Sequence, residues 1–157
     1  MKPLFILSVL LIIMNPSLAE NRTLSIISYN IKYDNKLDNI NTWEARRNDL
    51  LNIFKDNEPS FIGIQEGLQH QVDYIKLNLP NYDYIGSGRD DGKTKGEFCA
   101  IYYDSSEYNL LKQSTFWLSS NPLEVSVGWD AALERICTYG YFEHKNSDKR
   151  IWVFNTH

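Results

Sequence analysis

Three side chains suited to a metal ion or a phosphate close three apolar runs of this sequence. Asn30 ends Leu24-Ser25-Ile26-Ile27-Ser28-Tyr29, Glu66 ends Phe61-Ile62-Gly63-Ile64-Gln65, and His157 ends Ile151-Trp152-Val153-Phe154-Asn155-Thr156. A carboxylate at the tip of a strand suits Mg2+, which prefers oxygen and keeps several waters. The competing role for Glu66 is an acid at a helix N-terminus, favoured by the dipole. For Asn30 it is a structural hydrogen-bonding group. Glu97 opens the run Phe98–Tyr103. Paired with one nitrogen of His157, it would fix the tautomer and make the ring a general acid. Arg135 starts a run after the loop Asn121–Glu134 and always carries its charge. Its competing role is a surface ion pair with Glu134 or Asp130. The glycine-rich Gly86–Thr94 is not a nucleotide loop. Ser87 stands where the phosphate loop needs glycine, and no helix follows. It reads as a polar connection.

The elements that position these groups follow from spacing. Trp43, Arg47, Leu50, Leu51 and Phe54 share a helical face, Asn41 and Glu44 have capping-box spacing, and Glu58-Pro59 ends the helix. Leu68, Val72, Ile75 and Leu79 predict a second helix, which Pro80 stops. Strands are expected at 60–65 and 82–85, then at 98–103, 109–118, 136–143 and 151–156. The short turns in this last run imply antiparallel neighbours. Strands apolar on both faces need helices on one side and a second sheet on the other. No second sheet is evident, so the expectation is half of a sandwich.

Bulk properties narrow the surroundings. Met1–Ala19 has a positive start, an apolar stretch and small residues at a cleavage position, which predicts a signal peptide, 1–19, and a secreted or periplasmic domain, 20–157. The apolar stretch is too short for a membrane span. The formal net charge is −4, one unit more negative once Lys2 leaves. Such a chain has no general attraction for nucleic acid or anionic membranes. Cys99 and Cys137 lie in apolar runs and read as buried free thiols rather than a bridge.

Ser28-Tyr29-Asn30-Ile31, Trp43-Glu44-Ala45-Arg46, Ile64-Gln65-Glu66, Gly96-Glu97, Arg135-Ile136-Cys137-Thr138 and Asn155-Thr156-His157 occur in that order. Together they resemble the endonuclease/exonuclease/phosphatase superfamily with the deoxyribonuclease-I-like fold, in a bacterial, often exported, branch. The resemblance implies an α/β protein, a four-layer α/β/β/α sandwich, of which this chain supplies roughly the N-terminal half. It implies hydrolysis of phosphate esters with Mg2+, or Mn2+ in its place. Glu66 and Asn30 would hold the metal, Arg135 the phosphate, and Glu97 with His157 would protonate the leaving oxygen. The family's later Asp-x-Asn and Asp-His motifs do not follow, so residues 20–157 expressed alone are expected to be insoluble or inactive. The rival expectation is a non-catalytic exported binding or scaffold domain, using some of the ten Tyr and four Trp as a surface.

Overall fold

A computed structural model describes residues 23–157. The leader expected at 1–19 lies outside the described residues, among which no helix is long and apolar enough to cross a membrane.

The first strand, β1 (Ile26–Asn30), lies parallel to β2 (Phe61–Gln65), with the helix α1 (Trp43–Asn57) as the crossover. Thr42 caps α1, its hydroxyl accepting from Ala45 N–H at 3.4 Å. The cap is therefore not Asn41: residues Asn39–Asn41 coil into a 3-10 turn and shift it by one position. The apolar spacing was otherwise faithful, for Trp43, Leu50, Leu51 and Phe54 are all buried. The second helix, α2 (Gln69–Asn78), is followed by β3 (Tyr82–Ile85) and β4 (Ile101–Asp104). These complete a four-stranded sheet in the order β1-β2-β4-β3. β1 is its edge, and Ile26 and Tyr29 are exposed rather than buried as a core strand would require.

A second sheet is present, contrary to expectation. β5 (Tyr108–Trp117), β6 (Ile136–His144) and β7 (Arg150–Thr156) form an antiparallel meander. The short turn Asp104-Ser105-Ser106 implied that the strands on either side of it are antiparallel neighbours, but β4 already pairs with β2 on one side and β3 on the other. With no free edge left, the chain crosses to a new layer.

Alternation along the strands divides the core. Ile62, Ile64, Ala100 and Tyr102 face α1 and α2. Phe61, Ile101 and Tyr103 face the second sheet and meet Phe142. The Tyr102 hydroxyl donates to the Val72 carbonyl at 2.8 Å, so its burial leaves no orphan polar group. The outer face of the second sheet carries an aromatic ladder. Tyr141 stacks on Trp152 with centroids 4.4 Å apart, and Trp152 neighbours Phe154 at 6.2 Å. Cys99 and Cys137 are buried and unbridged.

Candidate active site

The site forms where the tips of β1, β2 and β7 meet. Just past β2, Glu66 adopts φ +61°, a left-handed conformation uncommon for its residue type. The carboxylate is held from three directions. Asn30 Nδ2 donates to Oε1 at 2.9 Å, Tyr33 N–H donates to Oε2 at 3.2 Å, and His157 Nε2 stands 3.7 Å from Oε1. Asn30 is itself fixed, its Oδ1 accepting from Lys32 N–H at 2.9 Å. His157 Nε2 also lies 3.4 Å from Asn30 Nδ2. Asn30, Glu66 and His157 are thus one cluster, although they come from three strands and both sheets.

Burial pushes the Glu66 carboxyl upward, but the hydrogen bonds from Asn30 and Tyr33 and the charges of His157 and Arg89 outweigh it. The net position is below the ordinary carboxylate value, so Glu66 is ionised at neutral pH.

Two groups absent from the sequence-based list complete the arrangement. Asn155 donates to the carbonyls of Ile64 and Ala100 at 2.8 and 2.9 Å, and accepts from Gln65 Nε2 at 2.7 Å. This carboxamide clamps β7 onto the first sheet two residues before His157. Gly63 makes room for it, since a Cβ there would sit 3.1 Å from the Asn155 side chain. The second group is Arg89, from the loop read as a mere connection. Its guanidinium forks onto Glu97 at 2.8 and 3.3 Å, and Trp117 Nε1 donates to its carbonyl at 2.8 Å. A signal was available, because Arg89 precedes Glu97 within one short polar loop, but only the fold turns it inward.

Arg89 also corrects the expected Glu97–His157 pair. Both residues line one small depression with Arg135, Cys99 and Ile136. Yet the Glu97 carboxylate is taken by Arg89, and the His157 ring faces Asn30 and Glu66 instead. A guanidinium presenting two parallel donors outcompetes a single imidazole N–H for a carboxylate. Arg135 enters this depression at the start of β6. Among the described residues it forms no ion pair with Glu134 or Asp130, which leaves its charge available to an anion.

The donor set suits a hard cation bound through few protein oxygens. Glu66 is ionised and part-exposed, with the Asn30 amide beside it. Among the described residues no group of three His, Cys, Asp or Glu side chains gathers to enclose a metal.

A solved endonuclease/exonuclease/phosphatase from Bacteroides vulgatus superposes with a TM-score of 0.84 and is 41% identical, over 85% of this chain and 52% of that one. The chain shares its fold and about two fifths of its aligned residues with part of this endonuclease/exonuclease/phosphatase protein. A mannosyl-6-phosphatase of Bacteroides thetaiotaomicron superposes with a TM-score of 0.83 at 39% identity, over 86% of this chain and 51% of that one. An uncharacterized protein of Acanthamoeba polyphaga mimivirus is 36% identical over 124 residues, 73% of this chain and 46% of the relative. No family model matches the chain. The chain spans about half the length of the relatives it matches, and its two sheets with helices on one face are the corresponding layers of the family's sandwich.

Proposed function

We propose that this chain carries the metal- and phosphate-binding part of an exported, divalent-cation-dependent phosphoesterase. The observation that supports it most is the convergence of Asn30, Glu66 and His157 at one sheet rim, with Arg135 in the adjoining depression. Glu66, with Asn30, would hold Mg2+ or Mn2+. When bound, that ion polarises a phosphoryl oxygen and neutralises charge developing on it. Arg135 presents paired N–H donors to the phosphate oxygens and orients the group. His157 gives its proton to the leaving oxygen as the ester P–O bond breaks, and the oxygen of a water bonds to phosphorus while that water releases a proton to solvent. Glu97 shapes the wall of the depression, and it can serve His157 only after releasing Arg89. Export rests on the leader-like Met1–Ala19.

The negative net charge speaks against long nucleic acids as substrate. The relative named mannosyl-6-phosphatase makes a sugar phosphomonoester the first compound to offer. The test uses the polypeptide translated from the complete open frame containing these residues. It is incubated with mannose 6-phosphate, p-nitrophenyl phosphate and bis-p-nitrophenyl phosphate, with Mg2+, Mn2+ or EDTA. Phosphate or nitrophenol release that EDTA stops is expected. No release from any ester with either metal would remove the proposal.

One observation favours a second reading, an exported binding domain without catalysis. Trp152 and Phe154 are 45% and 61% exposed instead of filling a core. The same incubations decide, because a binding domain releases nothing.

A further inference from the structure

We infer that Arg46 and Gln71 are positioning residues for Asn30 and Glu66, acting through the peptide planes of residues 31–34; this rests on the metal-binding reading above. Neither side chain touches the cluster. Each instead holds the opposite side of the loop that does.

A trans peptide unit is planar, with its C=O and N–H pointing in opposite directions. Fixing the carbonyl therefore aims the N–H. In the unit joining Ile31 and Lys32, the Ile31 carbonyl accepts from Arg46 Nη1 at 2.5 Å, and Lys32 N–H donates to Asn30 Oδ1. In the next unit, the Lys32 carbonyl accepts from Arg46 Nη2 at 3.2 Å and Gln71 Nε2 at 3.1 Å, while Tyr33 N–H donates to Glu66 Oε2. Gln71 Oε1 then accepts from Asp34 N–H at 3.2 Å and from Leu68 N–H at 3.0 Å. That last bond ties the strand-to-helix turn beyond Glu66 to the same carboxamide. Arg46 Nε is anchored on the Asn41 carbonyl at 2.9 Å.

The loop needs this restraint. Lys32 has φ +56° and Glu66 has φ +61°, conformations that persist only where surroundings over-determine them. Gln71 is fully buried, and its side chain's three hydrogen bonds all go to this loop and turn. A buried carboxamide that bonds the far side of a binding loop and the adjoining turn aims the loop's N–H groups. Arg46 lies in the motif Trp43-Glu44-Ala45-Arg46, which no part of the proposed chemistry otherwise uses.

The test measures Mn2+ affinity by electron paramagnetic resonance on the complete-frame polypeptide, with a circular dichroism melt for each variant. Arg46→Lys keeps charge and stem but loses the fork. Gln71→Met keeps length but loses both hydrogen-bonding ends. Arg47→Ala is the control. It lies beside Arg46 on α1, and its guanidinium sits over the ring of Tyr74 on α2 at 4.7 Å. Arg46→Lys and Gln71→Met should each weaken Mn2+ binding by about tenfold or more, the usual effect of losing support behind a metal ligand. Arg47→Ala should leave affinity unchanged even where its melting temperature falls. Wild-type affinity in folded Arg46→Lys and Gln71→Met overturns the inference. An unmodified protein that binds no Mn2+ fails the metal-binding reading instead.

Discussion

Gln65 and Asn155, ninety positions apart in the chain, share a 2.7 Å hydrogen bond in the gap between the two sheets. Asn155 is 8% exposed and Gln65 is 7% exposed, so the bond forms out of water. Because Asn155 also caps the Ile64 and Ala100 carbonyls, it joins β7 to β2 and to the segment leading into β4. The spacing between Glu66 and His157 is set by this join.

Replacing Asn155 with leucine keeps its branching, at a larger volume, and strands those partners. Each unsatisfied buried polar group costs about 1–3 kcal/mol, and Gln65 can fall back only on Ser28 Oγ and the Gly63 carbonyl. The urea midpoint should fall by a corresponding amount, and phosphate release should fall with it, since His157 loses its register.

Glu66→Gln removes the one charged oxygen donor of the cluster while preserving its shape. Turnover should drop by about 10²–10³ or more, the scale of losing a main electrostatic contact to the reacting group. Isothermal titration should find Mg2+ and Mn2+ binding weakened in parallel. Wild-type turnover in this variant would take Glu66 out of the mechanism.

His157→Ala should cost about 10²–10⁴ in rate, the range for a positioned general acid. The loss should shrink for esters with a good leaving group such as p-nitrophenol, which needs little protonation. An equal loss on alkyl and nitrophenyl esters would argue for a role in packing.

Acid should weaken the fold partly through Glu66. Its carboxyl sits below the ordinary 4.5 in the folded chain, so the unfolded chain binds the proton more readily. The stabilisation is present above 4.5 and disappears as pH falls through the lower, folded value. Urea melts from neutrality into acid should show this decline, and the Glu66→Gln variant should show a shallower one.

Cys99 should resist iodoacetamide in the native protein, because burial pushes its thiol up to about 12. Burial raises Cys137 as well. Mass spectrometry should find both alkylated only after denaturation.

Much of this was legible in the sequence because it depends on near neighbours. Leu50, Leu51 and Phe54 betray α1 through a helical period, and Val72 with Ile75 betray α2 in the same way. The placing of Asn30, Glu66 and His157 at strand tips follows from where apolar runs stop. What was hidden depends on competition between distant partners. The second sheet exists because β2 and β3 occupy both edges of β4, which no local pattern records. Glu97 has Arg89 rather than His157 as its partner because a loop folds back on itself, with Arg89 N–H on the Glu97 carbonyl at 3.2 Å. Thr42 caps α1 in place of Asn41 because a 3-10 turn consumed one residue.

Trp117 is 7% exposed, and its indole N–H ends on the carbonyl of Arg89, the residue that grips Glu97 in the depression. Indole emission shifts with the polarity and hydrogen bonding around the ring. The molecule therefore carries its own optical gauge: an anion that draws Arg89 away from Glu97 will tug on the neighbouring chromophore. A titration compared with the same titration of a Trp117→Phe variant, which leaves the buried Trp43 and the exposed Trp129 in place, can register occupancy of the depression without a label or turnover.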